Sequence, residues 1–341
     1  MEKARISSTQ LFLLLSGFLF GSTVILAPAR GAKNDAWLAM LLGGAGGVLL
    51  MWIYTAIALL NPSKTLVDIL KEKLGKVAGN ILAVLYTWYF IHLASLVLRD
   101  FGEFICTVTF PETPMAVVIG LFALIMVYAI NSGIEVIGRL SELLVPVIAL
   151  IASIISLSLI TVYDFTAFLP ILENGIKPVL NTAFNFITFP FGETVAFLML
   201  FPHVNKKEKL KKVVLVSAAV STFLGIILFF RDIFVLGSDL LARSSFIPHL
   251  TSLLIPGLNV EPLIDINLLI GGGVKISVCI YAAAKALSQI AGIDDYRTLT
   301  GAISTFCVVL SIWEYENVLE MFNWTEKVWP YYSILFQIIV P

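Results

Sequence analysis

The chain has 341 residues, 59 % of them hydrophobic and 13 % charged, with a net charge of −1 and a mean hydropathy of +0.95. Soluble domains carry roughly 45–50 % apolar and about 25 % charged residues, so this composition excludes an ordinary soluble domain, and the near-zero charge argues against a nucleic-acid partner. Membrane lipid is the expected surrounding.

A spanning helix needs about 20 apolar residues. Ten apolar runs are expected to cross, near 9–28, 36–60, 79–107, 114–131, 141–162, 178–203, 213–236, 261–290, 299–314 and 327–340. The last two are the shortest. Little chain remains outside them, so one all-α integral membrane domain covering 1–341 is predicted, with one repeat over about 9–162 and a second over about 178–340. Residues 237–260 are broken by Pro248, Pro256 and Gly257 and are expected to lie on the outer face as a lid. With a cytoplasmic N-terminus, the inside segments hold 14 Lys and Arg against 7 outside, and Lys275 is left within the membrane. The positive-inside rule then places both termini in the cytoplasm.

The first run contains Phe20-Gly21-Ser22-Thr23-Val24, and the sixth contains Phe191-Gly192-Glu193-Thr194-Val195. Gly192 follows Gly21 by 171 residues, about half the chain. Five helices precede the second copy, so the halves should run in opposite senses. Interruptions at matching places in two halves point to a binding site at the repeat interface, because backbone freed in mid-membrane must line a protein cavity. Pro190 strengthens the break in the second copy. The same repeat argues against reading MEKAR and Ala27-Pro28-Ala29 as a cleaved signal peptide. Gly43-Gly44-Ala45-Gly46-Gly47 and Gly271-Gly272-Gly273 are read as close helix packing, with the second run softening the eighth helix.

Ionisable groups at mid-bilayer are costly unless they face a cavity or a partner. Glu193 is expected to accept a ligand ammonium or carry a proton. Lys275 is expected to sit deep, standing where a carrier holds a cation or pairing with Glu193. Tyr89 is a candidate cap for a bound carboxylate, while His92 reads as a core imidazole. Arg99 and Glu103, four residues apart, read as an intramolecular ion pair. Cys106, Cys279 and Cys307 show no paired spacing and read as apolar packing. The histidines at 92, 203 and 249 have no metal-ligand spacing. No metal, cofactor or enzymatic activity is expected.

The opening Ile6-Ser7-Ser8-Thr9-Gln10-Leu11-Phe12, the run Gly21-Ser22-Thr23-Val24-Ile25-Leu26-Ala27-Pro28, FGETVAFLMLFP at 191–202 and Asp295-Tyr296-Arg297 together resemble the spore-germination permease family. These are the B subunits of Ger-type germinant receptors, within the amino acid–polyamine–organocation transporter superfamily. The resemblance covers essentially the whole chain. It implies a LeuT-like five-plus-five inverted repeat with unwound helices 1 and 6, and a role in amino-acid (nutrient germinant) binding in the inner membrane of the spore beside A and C subunits. By that analogy Gly21, Ser22 and Thr23 offer backbone N–H groups to a ligand carboxylate, and Phe189, Gly192 and Glu193 face its amino group and side chain. Serine at 22 makes the pocket narrower there than a second glycine would. The alternative function is a proton-coupled amino-acid permease that transports substrate.

Overall fold

A computed structural model describes residues 5–21, 29–257 and 260–341. Its helices are α1 (Ser8–Phe20), α2 (Ala36–Leu60), α3 (Leu66–Phe104), α4 (Met115–Asn131), α5 (Ile134–Ser158), α6 (Ile176–Phe186), α7 (Leu210–Arg243), α8 (Ile247–Leu253), α9 (Glu261–Ala291), α10 (Arg297–Trp313), α11 (Val318–Lys327) and α12 (Trp329–Ile334). The apolar segments follow the order read from the sequence. Among the described residues five helices are long and apolar enough to cross a membrane as single pieces. The sixth is interrupted, α1 and α4 are shorter, and α10 meets α11 at 102°.

Local sequence explains several boundaries. Ser7 caps α1 in a reciprocal box with Gln10, which satisfies two backbone donors at the helix start. That accounts for part of the distinctive opening. Gly75 and Gly237 adopt φ of +79° and +72°, a region that glycine enters without steric cost. Each turns the chain at the end of a span: Gly75 separates an interfacial turn of helix from the third span, and Gly237 separates the seventh span from the segment leading to α8. Ile6 donates its backbone N–H to His203 O at 2.8 Å, and Asn205 N–H donates to Ile6 O at 3.0 Å. The residues before the first span are thereby tied to those after the sixth.

Burial separates the centre from the lipid face. Buried residues make up 78 % of the apolar window of α9 and 67 % of that of α3, against 28 % for both α5 and α7. The outer helices instead expose residues such as Leu124, Leu143 and Phe223, as a lipid-facing surface requires.

The pairing of helices carries the repeat. The first span packs on the fifth, as the sixth packs on the tenth; the first packs on the seventh, as the sixth packs on the second. The second and seventh, third and eighth, and fourth and ninth pack on each other. Advancing every partner by five spans maps this pattern onto itself, which is the signature of a five-plus-five arrangement.

The glycines of α2 set its distance from the sixth and seventh spans. A Cβ at Gly43 would sit 2.7 Å from Ala183 O and 2.8 Å from Phe186 Cβ; Gly44 faces Thr222 and Gly47 faces Phe191. Gly271 of α9 meets Gly21 in the same way, and α9 continues as a helix through all three glycines. The Gly271–Gly273 run therefore permits contact without softening the eighth span. Overpacking of this kind costs about 1–3 kcal/mol. Gly43→Val is expected to lower the unfolding temperature in detergent, whereas Gly120→Ala, with nothing within 4 Å of an added Cβ, should not. Equal melting of the two variants would contradict the packing role.

Candidate functional site

Helix α1 ends at Phe20, with Gly21 as its cap. Ser22 and Thr23, the other predicted contributors from the first break, lie outside the described residues. Gly21 is fixed by its neighbours: an added Cβ would stand 2.9 Å from both Gly271 O and Lys275 Cβ. Glycine here lets α1 settle onto the stem of Lys275.

The second break falls at Phe189–Pro190. Proline lacks an N–H and disfavours the helical region for the residue before it, and Phe189 is extended at φ −135°, ψ 114°. The break lies within a wide helical turn over Ile187–Phe191, and a tighter helix over Gly192–Met199 follows. Gly192 itself is helical at φ −60°, so it does not make the break, as the sequence suggests. It is small because the Gln337 side-chain amide lies where its Cβ would be.

The backbone freed by this break is satisfied from other spans. Gln337 Nε2 donates to Thr188 O at 3.0 Å, and Tyr54 OH donates to Gly192 O at 3.1 Å and Gln337 O at 2.7 Å. Thr194 Oγ1 donates to Phe191 O at 2.6 Å. Tyr54 and Gln337 were not visible as site residues in the sequence; their only local signal is a polar group inside an apolar run.

Glu193 and Lys275 meet across this break, Nζ to Oε2 at 2.5 Å, at 1 % and 0 % exposure. The ammonium also lies 4.5 Å from the ring centroid of Phe189 and 5.5 Å from that of Phe18, within reach of a cation–π attraction. Taking two charges out of water is expensive, and an interior pair recovers that cost only with close geometry. The end of α1 and the break in the sixth span converge on this one pair.

A cavity of about 20 Å³ adjoins it, lined by Phe189, Glu193 and Lys275 at one end and by Asp100 and Tyr315 at the other. Trp324, Thr325 and Trp329 of α11 and α12 complete its wall. Tyr315 OH and Trp329 Nε1 are buried without a hydrogen-bond partner. Arg30, just after the first break, holds this wall through Glu326 at 2.5 Å and stacks 4.5 Å from the Phe322 ring centroid.

Tyr89 packs among aromatic rings beside the second break. Its ring stacks on Phe336 at 4.6 Å and on Trp329 at 5.8 Å. Its hydroxyl accepts a hydrogen bond from Gln337 Nε2 at 2.8 Å and is not among the groups lining the cavity. His92 is packed as expected of a core imidazole, stacked on Trp88 at 5.6 Å with Nδ1 3.2 Å from Tyr332 OH. Arg99 and Glu103 form a buried pair at 2.7 Å, and Arg99 Nη1 also donates to Ser311 O at 2.9 Å.

A sequence profile described as spore germination protein matches residues 5–318. Spore germination protein KB of Bacillus subtilis (strain 168) is 35 % identical over 353 aligned positions, which cover 100 % of this chain and 94 % of that protein. The chain belongs to the spore germination protein family. Among solved structures, MhsT in complex with L-phenylalanine aligns with a TM-score of 0.68 at 15 % identity, covering 98 % of this chain and 88 % of that one. An outward-open, substrate-bound Na⁺-coupled sialic acid symporter aligns at 0.72 and 11 % identity, covering 99 % and 80 %. Family and fold thus agree: a germination permease with the LeuT-like transporter fold, a multi-pass membrane protein.

Breaking a buried pair from one side costs about 3–5 kcal/mol, because it strands a charge. Lys275→Met and Glu193→Gln are each expected to lower the unfolding temperature more than the double variant does. Additive losses in a double-mutant cycle would contradict the direct pairing.

Proposed function

We propose that this chain is the nutrient-binding subunit of a spore germination receptor, and that it takes a small zwitterion such as an amino acid at mid-membrane. The observation that carries this reading is the Glu193–Lys275 pair, one anion and one cation buried together where the end of α1 meets the break in the sixth span. A zwitterion presents the complementary charges in one molecule. Its carboxylate would replace Glu193 beside Lys275 and the end of α1, and its ammonium would replace Lys275 beside Glu193. Tyr315 OH and Trp329 Nε1, buried and unpartnered on the cavity wall, add hydrogen-bonding capacity.

A cavity of about 20 Å³ has room for a water, which needs about 10–15 Å³, and not for an amino acid. Ligand entry must therefore separate the pair and move the wall that α11 and α12 form. Binding coupled to such a rearrangement shifts a conformational equilibrium, which A and C partner subunits in the spore inner membrane would read. The charge bias of the loops supports cytoplasmic termini. MhsT, on the same fold, is seen with L-phenylalanine, which supports a ligand of this size and charge type.

The likeness to a Na⁺-coupled symporter favours a second reading, a carrier that moves its ligand in each cycle. Accumulation of labelled amino acid in proteoliposomes holding this chain alone would favour the carrier; binding without uptake favours the receptor.

The test of the site itself is equilibrium binding of labelled amino acids to the full chain in lipid nanodiscs. At least one is expected to bind saturably, with Glu193→Gln weakening it tenfold or more, which is about 1.4 kcal/mol. Unchanged affinity in Glu193→Gln for every amino acid that binds would remove the pair from the ligand site.

A further inference from the structure

A second and larger cavity, of about 110 Å³, lies on the other side of the second break. Ser221, Gly225, Phe229 and Asp232 line it along α7. They recur every three or four residues and so share one helix face, a stripe roughly 16 Å long at 1.5 Å per residue. Ile148 and Ala152 of α5 and Asn267 of α9 also line it, as do Phe20 at the end of α1 and Arg30.

The lining is apolar along its middle and carries polar groups that its own residues do not satisfy. Ser221 Oγ and Asn267 Oδ1 are buried without hydrogen-bond partners, on residues 7 % and 5 % exposed. Leaving such an atom unsatisfied costs about 1–3 kcal/mol, so two of them in one cavity call for an occupant that bonds to them. Arg231 and Asp232 add a charge pair at 2.6 Å, 4 % and 7 % exposed. The cavity is somewhat smaller than the space of about 150 Å³ that admits a benzene-sized molecule, so a zwitterion with an aliphatic side chain enters it only as Pro190 and Phe191 move aside. An acyl chain would cover the apolar stripe and leave the hydroxyl, amide and charge pair unmatched.

Residues 189–193 form the partition between the two cavities. Phe189 and Glu193 line the small one; Pro190 and Phe191 line the large one. Phe191 is held from behind by Phe186, ring centroids 5.4 Å apart, and by the Gly47 notch of α2. Displacement of Pro190 and Phe191 must move Phe189 and Glu193, which share their backbone.

We propose that this cavity is a second ligand site, taking a zwitterion with an apolar side chain, and that its occupant acts on the Glu193–Lys275 pair through the partition. The side chain lies along the α7 stripe, and the head group engages Asn267 and the Arg231–Asp232 pair. Coupling of this kind is reciprocal: a ligand at either site changes affinity at the other by the same factor.

The test uses the full chain in lipid nanodiscs and labelled L-leucine as probe, with unlabelled glycine as a competitor that lacks the apolar body. Saturable L-leucine binding is expected, competed weakly by glycine and retained in Glu193→Gln. Gly225→Leu, which fills the cavity at a position whose nearest neighbour is the flexible end of Met40, should reduce affinity tenfold or more. Asn267→Leu should do the same, and Ser221→Ala, which alters the volume least, should reduce it about threefold, one hydrogen bond's net worth of roughly 0.5–1.5 kcal/mol. Absence of saturable L-leucine binding to the wild type would overturn the proposal, as would affinity unchanged in all three cavity variants. Binding lost in Glu193→Gln and kept in the cavity variants would assign L-leucine to the pair site, overturning the second site and leaving the first intact.

Discussion

Two charges that lipid would reject hold the centre of this protein together. Glu193 arrives on a helix that Pro190 has interrupted, and Lys275 arrives on an uninterrupted one, α9. Each makes the other tolerable. The surrounding details follow from bringing them together: Gly21 and Gly271 thin the α1–α9 contact so that the lysine stem fits, and Phe18 and Phe189 face the ammonium. The interruption in turn needs Tyr54 and Gln337 to satisfy the carbonyls it frees. Removing either charge, Tyr54 or Gln337 leaves a buried polar group without compensation, which is the costly outcome in a low-dielectric interior.

The matched pentapeptides are legible at the level of position and misleading at the level of mechanism. Gly21 and Gly192, matched in the sequence, both abut another span closely: α9 for the first, the Gln337 side chain for the second. What breaks the sixth span is Pro190 acting on Phe189, a local effect visible in the sequence. What makes residue 192 a glycine is a side chain 145 positions further on, which no local pattern encodes. Tyr54, Gln337 and the stacking of Tyr89 on Trp329 and Phe336 are hidden for the same reason. Ion-pair partners are easier to anticipate than hydrogen-bond partners, because so few charges lie in the membrane. Span order, the inverted relation of the halves and the intramembrane charges all come from composition and spacing. Exact boundaries do not: the fifth span begins at Ile134 and not near 141, and the tenth is split between α12 and the wide turn over Leu335–Ile339.

Belonging to a germination family while sharing a fold with symporters has a physical sense here. A transporter scaffold supplies a mid-membrane site whose occupancy is linked to the arrangement of broken helices. A receptor needs only that linkage. At the proposed site the protein's own anion and cation are in contact, with a cavity of about 20 Å³ beside them. On the reading proposed above, such a pair would set a threshold, since a ligand would have to offer both charges in suitable geometry to repay the separation. Molecules carrying only one charge would strand the other partner, which gives selectivity without a tightly fitted pocket.

The central claim, that ligand charges exchange with the internal pair, is tested most directly by solid-state NMR of the protein in lipid. The dipolar coupling between ¹⁵N at Lys275 Nζ and ¹³C at the Glu193 carboxyl reports their separation. In ligand-free protein the coupling should be strong, matching a direct contact, and with a saturating amino acid that binds at the pair it should collapse. A strong coupling that persists at saturation would show that the pair is structural and that the ligand is recognised without opening it.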